Sequence, residues 1–111
     1  MAEQKVFLFG REGISGEDET LGFEIFVAMI ESLARRKEPP AALVFWNTAV
    51  RLLTGASPVL KQLEALEEKG VALVAGKLCL SELEIPKLAV GRAGTMDEIL
   101  DLFQKYGVVS L

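Results

Sequence analysis

The chain has 111 residues, half of them apolar and a quarter charged, which fits one globular domain over residues 1–111, large enough to close a hydrophobic core without disulfides or metals. Twelve basic against sixteen acidic residues leave a net charge of −4, which repels phosphate backbones and anionic lipid and argues against nucleic acid as a partner. Histidine is absent; with it go the Cys-His pair, the Ser-His-Asp triad and histidine-ligated metal, so no metal and no cofactor is expected.

No apolar run approaches the roughly 20 residues needed to span a bilayer. The N-terminal "MAEQKVFLFG" holds too short an apolar stretch for a secretory signal. With a single cysteine, these features place the expected compartment in the cytoplasm, with no membrane association.

"KVFLFG" (5–10) is a short apolar run ending in glycine, the pattern of a buried strand. "REGISGEDET" (11–20) is a polar loop whose acidic end suits the first turn of a helix. Phe26, Met29, Ile30 and Leu33 then recur at helical spacing and predict a helix from Leu21 to about Arg36. Arg35, Arg36 and Lys37 favour its C-terminal end, and Pro39–Pro40 stop it. "AALVFWN" (41–47) predicts a second strand, continuously apolar and hence covered on both faces. After the linker "TAVRLLTGA", Ser57 as N-cap and Pro58 as first helical residue open a second helix with Val59, Leu63 and Leu66 inward, and Gly70 ends it. "VALVA" (71–75) is the third strand and "KLAVG" (87–91) a fourth. Thr95 with Glu98 predicts a capping box for a last helix carrying Met96, Ile99, Leu100 and Phe103, and "GVVSL" (107–111) closes the sheet.

This alternation predicts an α/β fold: a three-layer αβα domain with a mostly parallel, five-stranded sheet. Under a flavodoxin-like order 2-1-3-4-5 the order reverses between the first and third strands, and ligands bind outside the carboxyl ends of the strands there. The loops "REGISGEDET" and "GKLCLSELE" would flank that point.

Gly10, Gly13 and Gly16 match neither the Walker spacing nor the dinucleotide fingerprint, and Glu12, Glu17, Asp18 and Glu19 oppose an anion. A flexible strand-to-helix connection explains them better than a phosphate cradle. Phe9–Gly10 stands where a response-regulator receiver would need acidic magnesium ligands. Cys79, the only cysteine, has two readings. Flanked by Leu78 and Leu80 it is a small hydrophobe; just after the strand-breaking Gly76, with Lys77 and loop amides nearby, it is a presented thiol whose anion those groups stabilise. Phe45, Trp46 and Leu52–Leu53 likewise read either as core or as a subunit interface.

The stretches "GISGEDETLGFEIFVAMIESL" (13–33), "FWNTAVRLLTGASPVLKQLEALEEKGVALVAGKLCL" (45–80) and "VGRAGTMDEILDLF" (90–103), taken in order, resemble the DsrE/DsrF-like family, in particular the C-terminal domain of YedF-type proteins. The resemblance implies the α/β fold above and a role in sulfur relay, or selenium metabolism in the YedF case, often in a homo-oligomer. It implies a sulfurtransferase-like activity with a persulfide or selenopersulfide on Cys79. Gly13, Gly16, Gly76, Lys77 and Asn47 are its supporting residues. YedF-type domains carry "CGTCL" here; its second cysteine falls on Cys79 and its first on Gly76, so this chain keeps one thiol and an internal disulfide relay is excluded. The YedF N-terminal sulfur-carrier domain lies outside the matched stretches, which implies a sulfur-carrier protein on another chain as partner. Asn47 matches the family's asparagine at the end of the second strand, where its amide either lines the cleft or bonds local backbone.

Overall fold

The computed structural model describes residues 4–111. Residues 1–3, the start of the stretch considered above for a secretory signal, lie outside the described residues. Five strands, β1 (Lys5–Phe9), β2 (Ala42–Phe45), β3 (Ala72–Gly76), β4 (Arg92–Gly94) and β5 (Gly107–Ser110), form one sheet. All of its pairings are parallel. The helices are α1 (Glu19–Arg35), α2 (Leu60–Glu68), α3 (Lys77–Glu82) and α4 (Met96–Lys105). Among the described residues no helix is long and apolar enough to cross a membrane.

Alternation along the strands divides the core into two layers. Phe9, Leu43, Phe45, Leu73 and Ala75 face α1 and α2, meeting Phe26, Ile30, Leu33, Leu63 and Leu66. Val6, Leu8, Ala42, Val44 and Val74 face the other way, onto Ile99, Leu102 and Phe103 of α4. The strands read as continuous apolar runs because both their faces are dry. At the centre of the first layer Phe9 stacks on Phe45 at 5.2 Å and meets Phe26 edge-on at 5.3 Å, contacts worth about 0.5–1.5 kcal/mol each beyond their burial.

The helix ends explain the boundaries. Asp18 caps α1 by accepting the Leu21 N–H at 2.9 Å. At its other end the Lys69 ammonium donates to the carbonyls of Ala34 and Arg36, cationic completion of a helix C-terminus. Gly70, at φ 93°, ends α2 in a Schellman motif: Val71 N–H donates to Leu66 O and Gly70 N–H to Glu67 O. The helix begins at Leu60 with Val59 at the N-cap position, after a turn in which Ser57 Oγ accepts the Val59 N–H at 3.4 Å, so the expected cap at Ser57 lies two residues early. The Thr95–Glu98 capping box of α4 is formed in both directions.

Three-layer architecture and a parallel five-stranded sheet follow the sequence expectation, but the order does not. It is β4-β3-β2-β1-β5, not 2-1-3-4-5. In the expected order β2 would sit at an edge, yet all four of its residues are buried, and the sheet places it between β1 and β3. The edges fall to the three-residue β4 and to β5, whose Val108 and Ser110 are exposed. The fourth strand also moves. Residues 87–91 are not a strand: Ala89 and Val90 N–H groups both donate to Leu53 O, which anchors them against the first core layer. Gly91, at φ 75°, then turns the chain so that Arg92 pairs with Val74. Its missing Cβ is required, since one would stand 2.7 Å from Leu73 O.

The expected linker "TAVRLLTGA" is largely a 3-10 helix, which runs over Asn47–Leu53 with Ala49, Val50, Leu52 and Leu53 buried and takes Asn47 from the expected second strand. Phe45, Leu52 and Leu53 are core residues of this fold and are not available as a subunit interface; Trp46 alone of that group remains half-buried.

Candidate functional site

Strand order fixes where the site lies. From β1 to β4 the chain steps across the sheet in one direction, and right-handed crossovers keep those connections on one face. Consistent with this, Cys79, Leu80 and Leu83 of α3 pack against the α1/α2 layer. The return from β4 to β5 runs the opposite way, so α4 covers the other face. Adjacent strands β3 and β4 therefore send their chains to opposite faces, and a crevice opens between their carboxyl ends. It lies one strand pair and more away from the β1/β3 position expected from the sequence.

That crevice is a cleft of about 440 Å³. Its wall comes from Trp46 and Asn47 after β2, Gly76 to Cys79 at the β3–α3 junction, and Gly94 and Met96 at the β4–α4 junction. β3 passes into α3 with no loop between them, because Gly76 is the last strand residue and Lys77 the first helical one. Gly76 leaves room for the sulfur: a Cβ there would stand 3.3 Å from Cys79 Sγ and 3.5 Å from Trp46 Cβ. A Schellman motif stops α3 after six residues, with Glu84 at φ 54° and Ile85 N–H donating to Leu80 O at 2.9 Å.

Cys79 is half-buried, and its Sγ accepts a hydrogen bond from the backbone N–H of Asn47 at 3.1 Å. Asn47 has φ 54°, and its own Oδ1 accepts the Thr48 N–H at 2.9 Å. Trp46, whose ring meets Phe103 edge-on at 5.8 Å, closes the inner side of the cleft. At the mouth, Leu78 is 68% and Met96 54% exposed. Lys77 and Glu82 are exposed residues of opposite charge on the same wall. The surface is thus largely apolar, with a backbone donor aimed at a single sulfur.

Cys79, Asn47, Gly76 and Lys77 are brought together. Gly13 and Gly16 are not among the lining residues. The loop that carries them folds back on α1, with Ile14 N–H donating to Gly22 O at 3.0 Å, and is tied to the far edge of the sheet by Ser15 Oγ, which donates to Leu111 O at 2.9 Å. Gly13 lines a separate cleft of about 640 Å³ with Arg11, Glu12, Glu19, Glu24 and Thr48. The Trp46–Thr48 turn divides the two. Sequence reasoning missed Leu78, Glu82, Leu83, Gly94, Met96 and Ile99 as lining residues. A β4 start placed after Gly91, rather than before it, would have set Gly94 and the Thr95 cap at the same edge as Cys79.

No family model matches the chain, and no curated protein sequence matches it. Solved structures do. A protein of unknown function, MTH1491 from Methanobacterium thermoautotrophicum, superposes with a TM-score of 0.72 at 14% identity, over 99% of this chain and 100% of that one. The YchN protein from E. coli gives 0.64 at 21% identity over 97% and 99%, and BT1422 of unknown function from Bacteroides thetaiotaomicron 0.65 at 13% over 97% and 95%. These likenesses show the fold alone, a three-layer α/β domain around a parallel five-stranded sheet.

Proposed function

We propose that the protein handles sulfane sulfur through Cys79, as a sulfurtransferase-like relay of the kind that its resemblance to YedF-type proteins of sulfur or selenium metabolism implies. The observation that carries this reading is the half-buried Sγ at the β3/β4 crevice, with the Asn47 N–H directed at it from 3.1 Å. Only a thiolate attacks, and the Asn47 N–H is a hydrogen-bond donor that a sulfur anion at this position can accept. In the transfer step Cys79 Sγ attacks the outer sulfur of a persulfide R–S–SH. The new Sγ–S bond forms as the donor S–S bond breaks, and the electron pair leaves on R–S⁻, which takes up the proton. Oxidation level is conserved, so no oxidant is consumed. Gly76 leaves space beside the sulfur. Lys77 supplies a positive field at the mouth, opposed by Glu82. Discharge requires a thiol from another molecule, since the chain has no second cysteine. A sulfur-carrier protein is the partner this chemistry calls for, and the exposed Leu78 and Met96 beside the cleft suit its docking or homo-oligomer formation. The cytoplasm, where free thiols persist, is the compartment that fits.

A second reading is favoured by the apolar wall of Trp46, Leu78, Leu83, Met96 and Ile99: a non-catalytic binding module in which Cys79 packs beside an apolar ligand. Intact mass measurement after incubation with a persulfide donor separates the two. A gain of one sulfur atom that is lost in Cys79→Ser supports the relay. No gain, or one unaffected by that substitution, leaves the binding module.

A further inference from the structure

Asn47 and Glu84 are the two non-glycine residues with positive φ among the described residues. Glu84 has an evident reason, since it ends α3. At Asn47 the left-handed backbone opens the 3-10 helix, where Gly, Asn or Asp is tolerated and other side chains crowd the following carbonyl. Its side chain is exposed and reaches back to its own neighbour, accepting the Thr48 N–H at 2.9 Å. The residue before it is held on both sides: Trp46 N–H donates to Phe9 O at 3.1 Å, and Trp46 O, the carbonyl of the 46–47 peptide, accepts the Ala49 N–H at 3.2 Å. A residue relaxing to negative φ must either displace the turn that follows or give up the Ala49 bond and swing the 46–47 peptide. That peptide's N–H gives Cys79 Sγ its only hydrogen bond from the described residues.

We infer that Asn47 is a positioning residue: its left-handed backbone, locked by its own carboxamide on Thr48, aims the N–H that keeps the Cys79 sulfur nucleophilic. The carboxamide itself makes no contact with the sulfur. This rests on the sulfur-handling reading for its purpose, yet it is measured without any sulfur donor.

The rate of Cys79 alkylation by iodoacetamide is compared in the wild type, Asn47→Gly and Asn47→Ala, with folding checked by circular dichroism. Glycine adopts positive φ freely, so N47G reacts within about twofold of wild type. Alanine does not, and N47A reacts about tenfold more slowly, the equivalent of one hydrogen bond to a charged group. Equal rates in N47A and N47G, fast or slow, overturn the inference, because a side-chain role or no role predicts that result. Should N47A fail to fold, the amide resonance of Asn47 in the ¹⁵N-labelled wild type decides: it shifts well beyond its neighbours when Cys79 is alkylated, and an unmoved resonance overturns the inference. If N47A and N47G differ as expected while the wild type takes no sulfur from a persulfide, the sulfur-handling reading alone falls.

Discussion

Replacing Gly76 by cysteine should close a disulfide within this chain. A Cβ built at residue 76 stands 3.9 Å from Cys79 Cβ and 3.3 Å from its Sγ, inside the window of about 3.5–4.5 Å between Cβ atoms that disulfides occupy. The backbone at Gly76, φ −59° and ψ 118°, suits any residue, and Trp46 Cβ at 3.5 Å is an ordinary contact. The closed loop is short, so the chain-entropy relation gives about 2 kcal/mol of stabilisation for a loop of about four residues. On a domain of this size that raises the melting midpoint by roughly 5–10 °C in the oxidised form only. The assay is mild oxidation of Gly76→Cys, thiol titration, intact mass and thermal melts with and without dithiothreitol. The expected result is a monomer short of two hydrogens with no titratable thiol and a reductant-sensitive midpoint. Two thiols that still titrate after oxidation, or a disulfide found only between chains, would refute the geometry of the β3–α3 junction.

Three further outcomes follow from other parts of the molecule. Thr95→Ala removes the side chain that accepts the Glu98 N–H and should cost about 1 kcal/mol in urea denaturation; no change would mean α4 does not depend on its cap. Gly91→Ala forces a Cβ to 2.7 Å from Leu73 O at φ 75° and should cost more than about 2 kcal/mol, read from the same denaturation midpoint. The Arg92 guanidinium, hydrogen-bonded to Glu98 at 2.6 Å, and then the Thr95 N–H hold the Glu98 carboxyl below the usual carboxylate range. A depressed carboxylate stabilises the fold above its unfolded value of about 4.3, and that contribution is lost as pH falls through the folded value. The stability difference between wild type and Glu98→Gln should therefore be present at neutral pH and vanish on acidification below that range.

What the residues disclosed and what they withheld divide along a physical line. Elements set by local chemistry were legible: the apolar runs of β1, β2, β3 and β5, the capping box at Thr95, and the glycine stop at Gly70. Strand order was not, because it depends on which edges pair, and no local pattern records that. One clue was present in "ALVF", buried throughout, which belongs in mid-sheet. The fourth strand was misplaced because Val90 is as apolar as a strand residue, yet it is held by Leu53 O rather than by a ladder. At Asn47 the carboxamide bonds local backbone, one of the two expected readings, while the group that reaches the sulfur is the main-chain N–H, which no side-chain pattern announces.

The pairing of β1 with β5 has a consequence during synthesis. β1 is made before β2, but its opposite side stays bare until β5, the last of the five strands in chain order, has been made. Throughout that interval a nascent chain carries an uncovered, strongly apolar ribbon of unsatisfied amides, the kind of surface that holdase chaperones shield and on which stalled or shortened products coalesce.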